Sequence, residues 1–365
     1  MVAEWKEIVI GSATRGLELQ GKKGDMPPGH NGPWNDPQTP VRNTAHWSLL
    51  FLEAFKHTGN EAFKDAALKA AGYLASHEAR PMNATFYCRY AGSKDFCNGL
   101  IGQAWVIQAL LYIGEHFQQH QYIDLAQEIF LLHEMDHSSG LWRIRNVDGS
   151  IGGISHTFNQ QLWFAVMGVM LNKLQPNKTI EDRTNLFFAK MMDHLQLARS
   201  GRIIHVIGHV RLRYRIIKSV YRLYFNRHQR EHQYLLEHGY HSFNLYAFAL
   251  LYHSVPDHFI WKMGNVRNML KRAIDYTKNP EFKATIQRNK YSSPYNPVGI
   301  EMACVLTVFK DYLEDSNIQE VREWSRLQLE QHYDHEQHLM NQNTSDPDTL
   351  SARLYEAGLI LEKIG

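Results

Sequence analysis

His156, Asn159, Gln160 and Trp163 would share one face if the stretch HTFNQQLWFAVMGVML were a helix, because residues three and four apart are neighbours there. An imidazole and two amides on an otherwise apolar helix predict a wet cavity. Imidazole moves protons near neutral pH, and amides bond hydroxyls. Just upstream, Asp148-Gly149 marks a turn and Gly152-Gly153 a flexible lead into the helix. A second constellation is YCRYAGSKDFCNGLIGQAW, Tyr87–Trp105. Arg89 and Lys94 can neutralise a carboxylate. Tyr90 and Asp95 can give or take a proton, and Asn98 and Gln103 can bond hydroxyls. The structural alternatives are an N-cap for Asn98 and a helix-packing role for Gly102. A third is GHNGPWNDPQTPVRNTAHW, Gly29–Trp47, too rich in proline and glycine to be helical throughout. It is expected to fold over a cavity mouth and deliver His30, Asn31, Trp34 and Asp36, with His46 one turn into the next helix.

These residues need elements to hold them. Six stretches open with a polar cluster and run into an apolar helix. They start near Asn43, Asn98, His156, Tyr240, Asn296 and Asp346, at intervals of 55, 58, 84, 56 and 50 residues. A more ordinary amphipathic helix follows each of the first five, and a further helix, about Ala3–Leu19, precedes them all. Alternating β-branched runs are not seen. The pattern predicts an all-α, (α/α)6 toroid: six helical hairpins closed into a ring over residues 1–365 as one domain. An open solenoid is the other all-helical reading. The polar helix starts would converge at one mouth, to which the fourth start adds Tyr240 and His241. Glu301, inside an apolar run, needs a partner if buried, and Arg353 in the neighbouring hairpin is expected to supply it.

The long third interval marks an insertion, residues 202–230. It carries eight Lys/Arg and no acid, against a net charge of +2 for the whole chain. Apolar residues recur there at helical spacing beside a basic stripe of Arg211, Arg215, Lys218 and Arg222. Two readings weigh equally: packing on the ring, or contact with an anionic membrane surface. A clamp for an anionic polymer comes third. A nucleic-acid partner is not expected, since the charge is confined to one insert without a nucleic-acid motif.

The 365 residues are 44% hydrophobic, enough for a large core. Cys88, Cys97 and Cys304 have no C-x-x-C spacing and are expected to be reduced thiols. No hydrophobic signal segment opens the chain and no apolar run reaches a membrane span, so a cytoplasmic protein is expected, peripheral on the inner membrane face if the insertion binds lipid. His133 and His137 do not form an H-E-x-x-H motif, and phosphate-cradling and dinucleotide motifs are lacking. No metal and no cofactor are therefore expected.

At these residues the chain resembles the (α/α)6-toroid carbohydrate-active enzymes: unsaturated glucuronyl hydrolases, toroid polysaccharide lyases and uronyl epimerases. NGLIGQAWVIQALLYI is similar to the Asn-Gly…Gln-Gly…aliphatic inner helix of the epimerases, with the order Gly-Gln here. NGPWNDPQTPVRNTAHW and DPDTLSARLYEAG look like stretches of proteins encoded among surface-polysaccharide biosynthesis genes. The resemblance implies an enzyme acting on an acidic, uronate-containing oligo- or polysaccharide, first by lyase or hydrolase chemistry. A uronyl epimerase is the alternative, and a non-catalytic glycan-binding subunit of an assembly complex the other. A lyase or epimerase would use His156 or Tyr90 as base, with Asn159, Gln103 and Arg89 on the sugar carboxylate. A hydrolase of unsaturated uronides would use Asp95 or Asp148 as acid. His30, Trp34, His46, Asn98, Gln160, Tyr240 and His241 complete the expected substrate-binding set.

Overall fold

The computed structural model describes residues 2–90, 95–207, 227–313 and 318–364. The helices are α1 (Val2–Leu19), α2 (Val41–Thr58), α3 (Glu61–Leu74), α4 (Gly99–His116), α5 (His120–Leu132), α6 (Phe158–Leu174), α7 (Lys178–His194), α8 (Arg227–Gly239) and α9 (His241–Ser254). They continue with α10 (Gly264–Thr277), α11 (Pro280–Ile286), α12 (Val298–Val308), α13 (Lys310–Leu313), α14 (Ile318–His332), α15 (Pro347–Ala352) and α16 (Gly358–Ile364).

Burial separates two layers. Every residue of α4 from Gly99 to Leu111 is buried, and α2, α6, α9 and α12 are buried on nearly all sides. A helix apolar all round must lie inside. α3, α5, α7, α10 and α14 bury one face only, as amphipathic outer helices do. Inner helices touch in the cyclic order α2, α4, α6, α9, α12 and then the turn Arg353–Ala357, which returns to α2. The ring is therefore closed, and α1 completes the outer layer between α2 and α16. α1 approaches closely because Gly16 leaves no Cβ; one would lie 2.5 Å from the Trp47 ring.

Two features depart from the sequence expectation. The chain between α5 and α6 forms a small antiparallel sheet, β1 (Met135–Asp136), β2 (Leu141–Arg145) and β3 (Ile151–Ile154), in the order β1-β2-β3. Its second turn is the anticipated Asp148-Gly149, with Gly149 at φ 82°. The sixth inner helix is broken into α15, a 3-10 turn over Arg353–Ala357 and α16. Most of the 202–230 insertion, including its basic stripe, lies outside the described residues. Its first six residues are part of the ring wall: Leu197 pairs with Ile203 and Thr157 with Val206 as antiparallel bridges, and Ile203, Ile204 and Ile207 are buried. No described helix is long and apolar enough to cross a membrane.

The core also buries imidazoles. His133 is pushed down to about 4 and His241 to about 3, both chiefly by burial. Each is neutral in the fold and must ionise when the chain unfolds in acid. A lowered histidine pKa gives stability that is present above about pH 6.5 and is lost as pH falls through the folded value. For His133 the contribution is about 3 kcal/mol. Circular dichroism against pH should therefore show the fold weakening below about pH 6.5, and His133→Leu should blunt that loss.

Candidate active site

The polar starts of the inner helices converge on a cavity of about 210 Å³. One wall comes from the Gly29–Trp47 loop. Asn31, Gly32 and Asn35 adopt positive φ, letting the chain turn sharply around the 3-10 segment Gly32–Trp34. Asp346 anchors this loop from across the ring: its Oδ2 accepts from the backbone N–H of Gly32 at 2.7 Å and of His30 at 3.1 Å, while Oδ1 caps α15 at Thr349. Asp346→Ala would leave these buried N–H groups unpartnered. It should cost about 2 kcal/mol or more, read as a lower urea midpoint together with a change in tryptophan emission as Trp34 is released.

The loop brings Asn31, Trp34 and Asp36 to the cavity. Trp34 Nε1 donates to the Tyr240 hydroxyl at 3.0 Å. Asn31 Oδ1 accepts from the Tyr295 hydroxyl at 2.5 Å and from Arg42 at 3.0 Å, and its Nδ2 donates to Asp36 at 3.1 Å. Arg42 is buried, lying over the Trp105 ring at 4.2 Å beneath the cavity. Arg89 reaches Asp36 at 3.2 Å and Asp95 at 3.1 Å, and its Nε donates to the Asp95 carbonyl. Opposing charges thus cancel within the wall.

The opposite wall comes from α6 and the strand-like segment after α7. Asn159 Oδ1 is buried with no hydrogen-bond partner among the described residues, so the cavity presents an acceptor that a ligand hydroxyl can satisfy. Gln160 Oε1 accepts from the Leu100 amide and Ser155, and Asn98 adopts φ 58° at the entry to α4. His205 completes this wall. Its carbonyl accepts from the Phe158 amide at 2.9 Å, which fixes the residue against the start of α6. The ring leans on Tyr240 at 5.4 Å, and its Nδ1 is buried without a partner among the described residues. Burial pushes the imidazole down to about 4, so it is a neutral proton acceptor at pH 7. Burial likewise holds the Tyr240 phenol well above its usual value, keeping it protonated.

Of the residues expected from sequence, Trp34, Arg89, Asn98, Asn159, Gln160 and Tyr240 line the cavity. Others are placed elsewhere. His156 is exposed and lies outside the lining, because pairing with the chain at Ile207 turns its backbone toward that segment. Asp148 is exposed in the β2–β3 turn, bonded to Ser150. Tyr90 is 55% exposed and packs edge-on against Tyr87. Asp95 holds Arg89 and the Gly99 amide. Gln103 is spent on the backbone at Phe86 and Cys97. His46 is buried between Trp105 and Tyr355. His241 bonds the Ala273 carbonyl and the Ile203 amide, and His30 the Ser345 carbonyl. Sequence reasoning missed His205, counted there only within the basic insertion; its signal is a single histidine inside the apolar run Ile203-Ile204-His205-Val206-Ile207. Tyr295 and Asn296 also line the cavity. No group of three or more His, Cys, Asp or Glu suited to a metal ion occurs among the described residues.

No family model matches the chain. Over 364 aligned positions it is 36% identical to archaeal glycosylation protein Q of Haloferax volcanii, covering 96% of each chain. The chain belongs to that protein's family. Among solved structures it is similar to a D-mannose isomerase, with a TM-score of 0.67 at 12% identity over 99% of this chain and 97% of that one. It is equally similar to the cellobiose 2-epimerase of Bacillus thermoamylovorans B4167, with a TM-score of 0.67 at 10% identity over 98% of each chain. At such identity these likenesses establish the fold, and the fold is the (α/α)6 toroid expected from the sequence.

Proposed function

We propose that this protein is a carbohydrate-active enzyme of glycan assembly that moves a proton at a sugar carbon, as an epimerase or isomerase does, with His205 as the base. One observation carries the reading. A neutral imidazole stands in a cavity of aromatic rings, amides and phenols whose lining, among the described residues, holds one carboxylate, Asp36, bonded to Arg89 and Asn31. Glycoside hydrolysis ordinarily takes two carboxyl groups flanking the scissile bond. The hydrolase chemistry expected from sequence therefore fits this cavity less well than proton transfer; a lyase would begin with the same proton abstraction and differs from an epimerase in its product.

The chemistry follows from the placements. Trp34, Trp105 and Phe243 offer apolar faces to a sugar ring. Asn159 accepts from a hydroxyl. Tyr240 accepts from Trp34 and retains its own proton, which it can give to Tyr295 or to a ligand oxygen. With a sugar carbonyl near Tyr240, His205 takes the proton from the adjacent carbon. The C–H bond breaks, an N–H bond forms, and the electron pair passes into an enediolate held by the phenol. Return of the proton from His205 to the neighbouring carbon gives the isomer; the epimer requires a solvent proton on the other face of the same carbon, with His205 releasing its proton to solvent. The Haloferax volcanii relative is named for glycosylation, and the two structural neighbours for sugar isomerisation and epimerisation; both support the reading. The uronate selectivity expected from sequence has less support in this cavity, because Arg89 is engaged by Asp36 and Asp95 rather than open to a sugar carboxylate.

The test is product analysis with D-mannose, D-glucose, cellobiose and D-glucuronate oligosaccharides. A new isomer with no change in chain length is expected from at least one of them. Shortened oligosaccharides or an unsaturated uronate band, without isomer, would overturn the proposal in favour of hydrolase or lyase chemistry.

A further inference from the structure

Asn296 lines the cavity, yet its amide is engaged by protein. Its Oδ1 accepts from Arg353 Nη1 at 2.6 Å. Its Nδ2 donates to the carbonyls of Tyr291 at 2.8 Å and Gly239 at 3.2 Å. Those two carbonyls sit at the roots of the aromatic wall. Gly239 immediately precedes Tyr240, and the Tyr291 ring packs on Trp34 with centroids 5.3 Å apart. Trp34 closes the circuit through its hydrogen bond to Tyr240. Gly239 admits this close approach because a Cβ there would lie 2.4 Å from the Tyr291 carbonyl.

Behind Asn296, Arg353 is itself immobilised. Glu301 lies 2.7 Å from its Nη2, Glu356 accepts from its Nε at 2.7 Å, and Ser242 in turn donates to Glu301 at 2.5 Å. All of these side chains are buried. We infer that Asn296 is a positioning residue: clamped by Arg353, it fixes the backbone at Gly239 and Tyr291 and thereby the Trp34–Tyr240 wall that orients the substrate. The position demands an acceptor toward the guanidinium and a donor toward two carbonyls at once. An amide of this length meets both demands. An aspartate would satisfy Arg353 but present oxygen to both carbonyls, and a serine would reach only part of the set.

The inference rests on the cavity being the sugar site, but its first readout needs no ligand. In indole-labelled protein, Asn296→Asp should move the Trp34 N–H resonance and speed its exchange with water, although the altered group is not its hydrogen-bond partner. Asn296→Ser, the milder change, serves if the aspartate variant does not fold. On the sugar that the wild-type protein converts, kcat/KM should fall by about 10²-fold, the scale of a misplaced substrate. A folded variant whose Trp34 resonance and exchange match wild type would overturn the inference. A shifted Trp34 in a protein that converts no sugar would uphold the positioning role and defeat the sugar reading instead.

Discussion

Arg353→Met is expected to leave the chain unable to fold stably. The guanidinium is 1% exposed and both carboxylates beside it are fully buried. Removing one member of such a set leaves uncompensated charge in the interior, which costs about 3–5 kcal/mol. The loss should appear as insoluble protein or a greatly lowered urea midpoint. Adding Glu301→Gln and Glu356→Gln to Arg353→Met removes the buried charges together and should recover much of the stability. One guanidinium serves two carboxylates, so the set is stable with one proton on it. Burial is the main cause that pushes Glu356 up to about 8. A raised carboxyl pKa contributes stability that is full below the unfolded value, near 4.5, and is lost as pH rises through about 8. Glu356→Gln should flatten that alkaline decline. With the buried histidines acting in the opposite direction below about pH 6.5, the wild-type fold should be most stable near that pH.

His205→Ala is expected to lower turnover by about 10²–10⁴-fold, the usual worth of a positioned base. The fold should survive, because the half-buried ring makes no side-chain hydrogen bond to the described residues and its backbone pairing with Phe158 does not depend on the side chain. Equal thermal midpoints with unequal rates would separate a chemical role from a structural one. The pH profile carries a second signature. The base works when neutral, and burial depresses it to about 4, so kcat/KM should rise through that value and stay level to neutrality. A base with an unperturbed imidazole would instead give a midpoint near about 6.5.

Much of this architecture is legible in the sequence, for physical reasons. An inner helix must be apolar all round, and its polar start must face the mouth, so Asn98, Tyr240 and Asp346 mark their helices directly. Loop composition likewise shows that Gly29–Trp47 cannot be helical throughout, and the part ahead of α2 delivers Asn31, Trp34 and Asp36 to the cavity. The need to compensate a charge inside an apolar run anticipates the Glu301–Arg353 pair, observed at 2.7 Å. Individual roles are harder to read. A helix buried on every side gives no amphipathic phase, so periodicity cannot tell a side chain facing the cavity from one facing the outer layer. Gln103, His46 and His241 therefore read like ligands, although backbone bonds or ring stacking hold them inside. His205 is hidden for another reason. The charge of the segment after it draws attention to the basic stripe, while the short run from Ile203 to Ile207 is built into the wall by pairing with residues distant in sequence. The β1–β3 sheet is hidden for a different reason: its pairings are local, Met135 with Trp142 and Arg143 with Ile154, but its strands are too short to show an alternating pattern.

The central claim is that His205 takes a carbon-bound proton from a sugar held in this cavity. Its most direct test is conversion in deuterium oxide, followed by proton NMR of the sugar, with wild type and His205→Ala side by side. The account predicts that wild-type protein replaces one carbon-bound proton by deuterium as the isomer forms, and that the variant does so at least about 10²-fold more slowly. Conversion without deuterium at carbon, or equal incorporation by the variant, would contradict it.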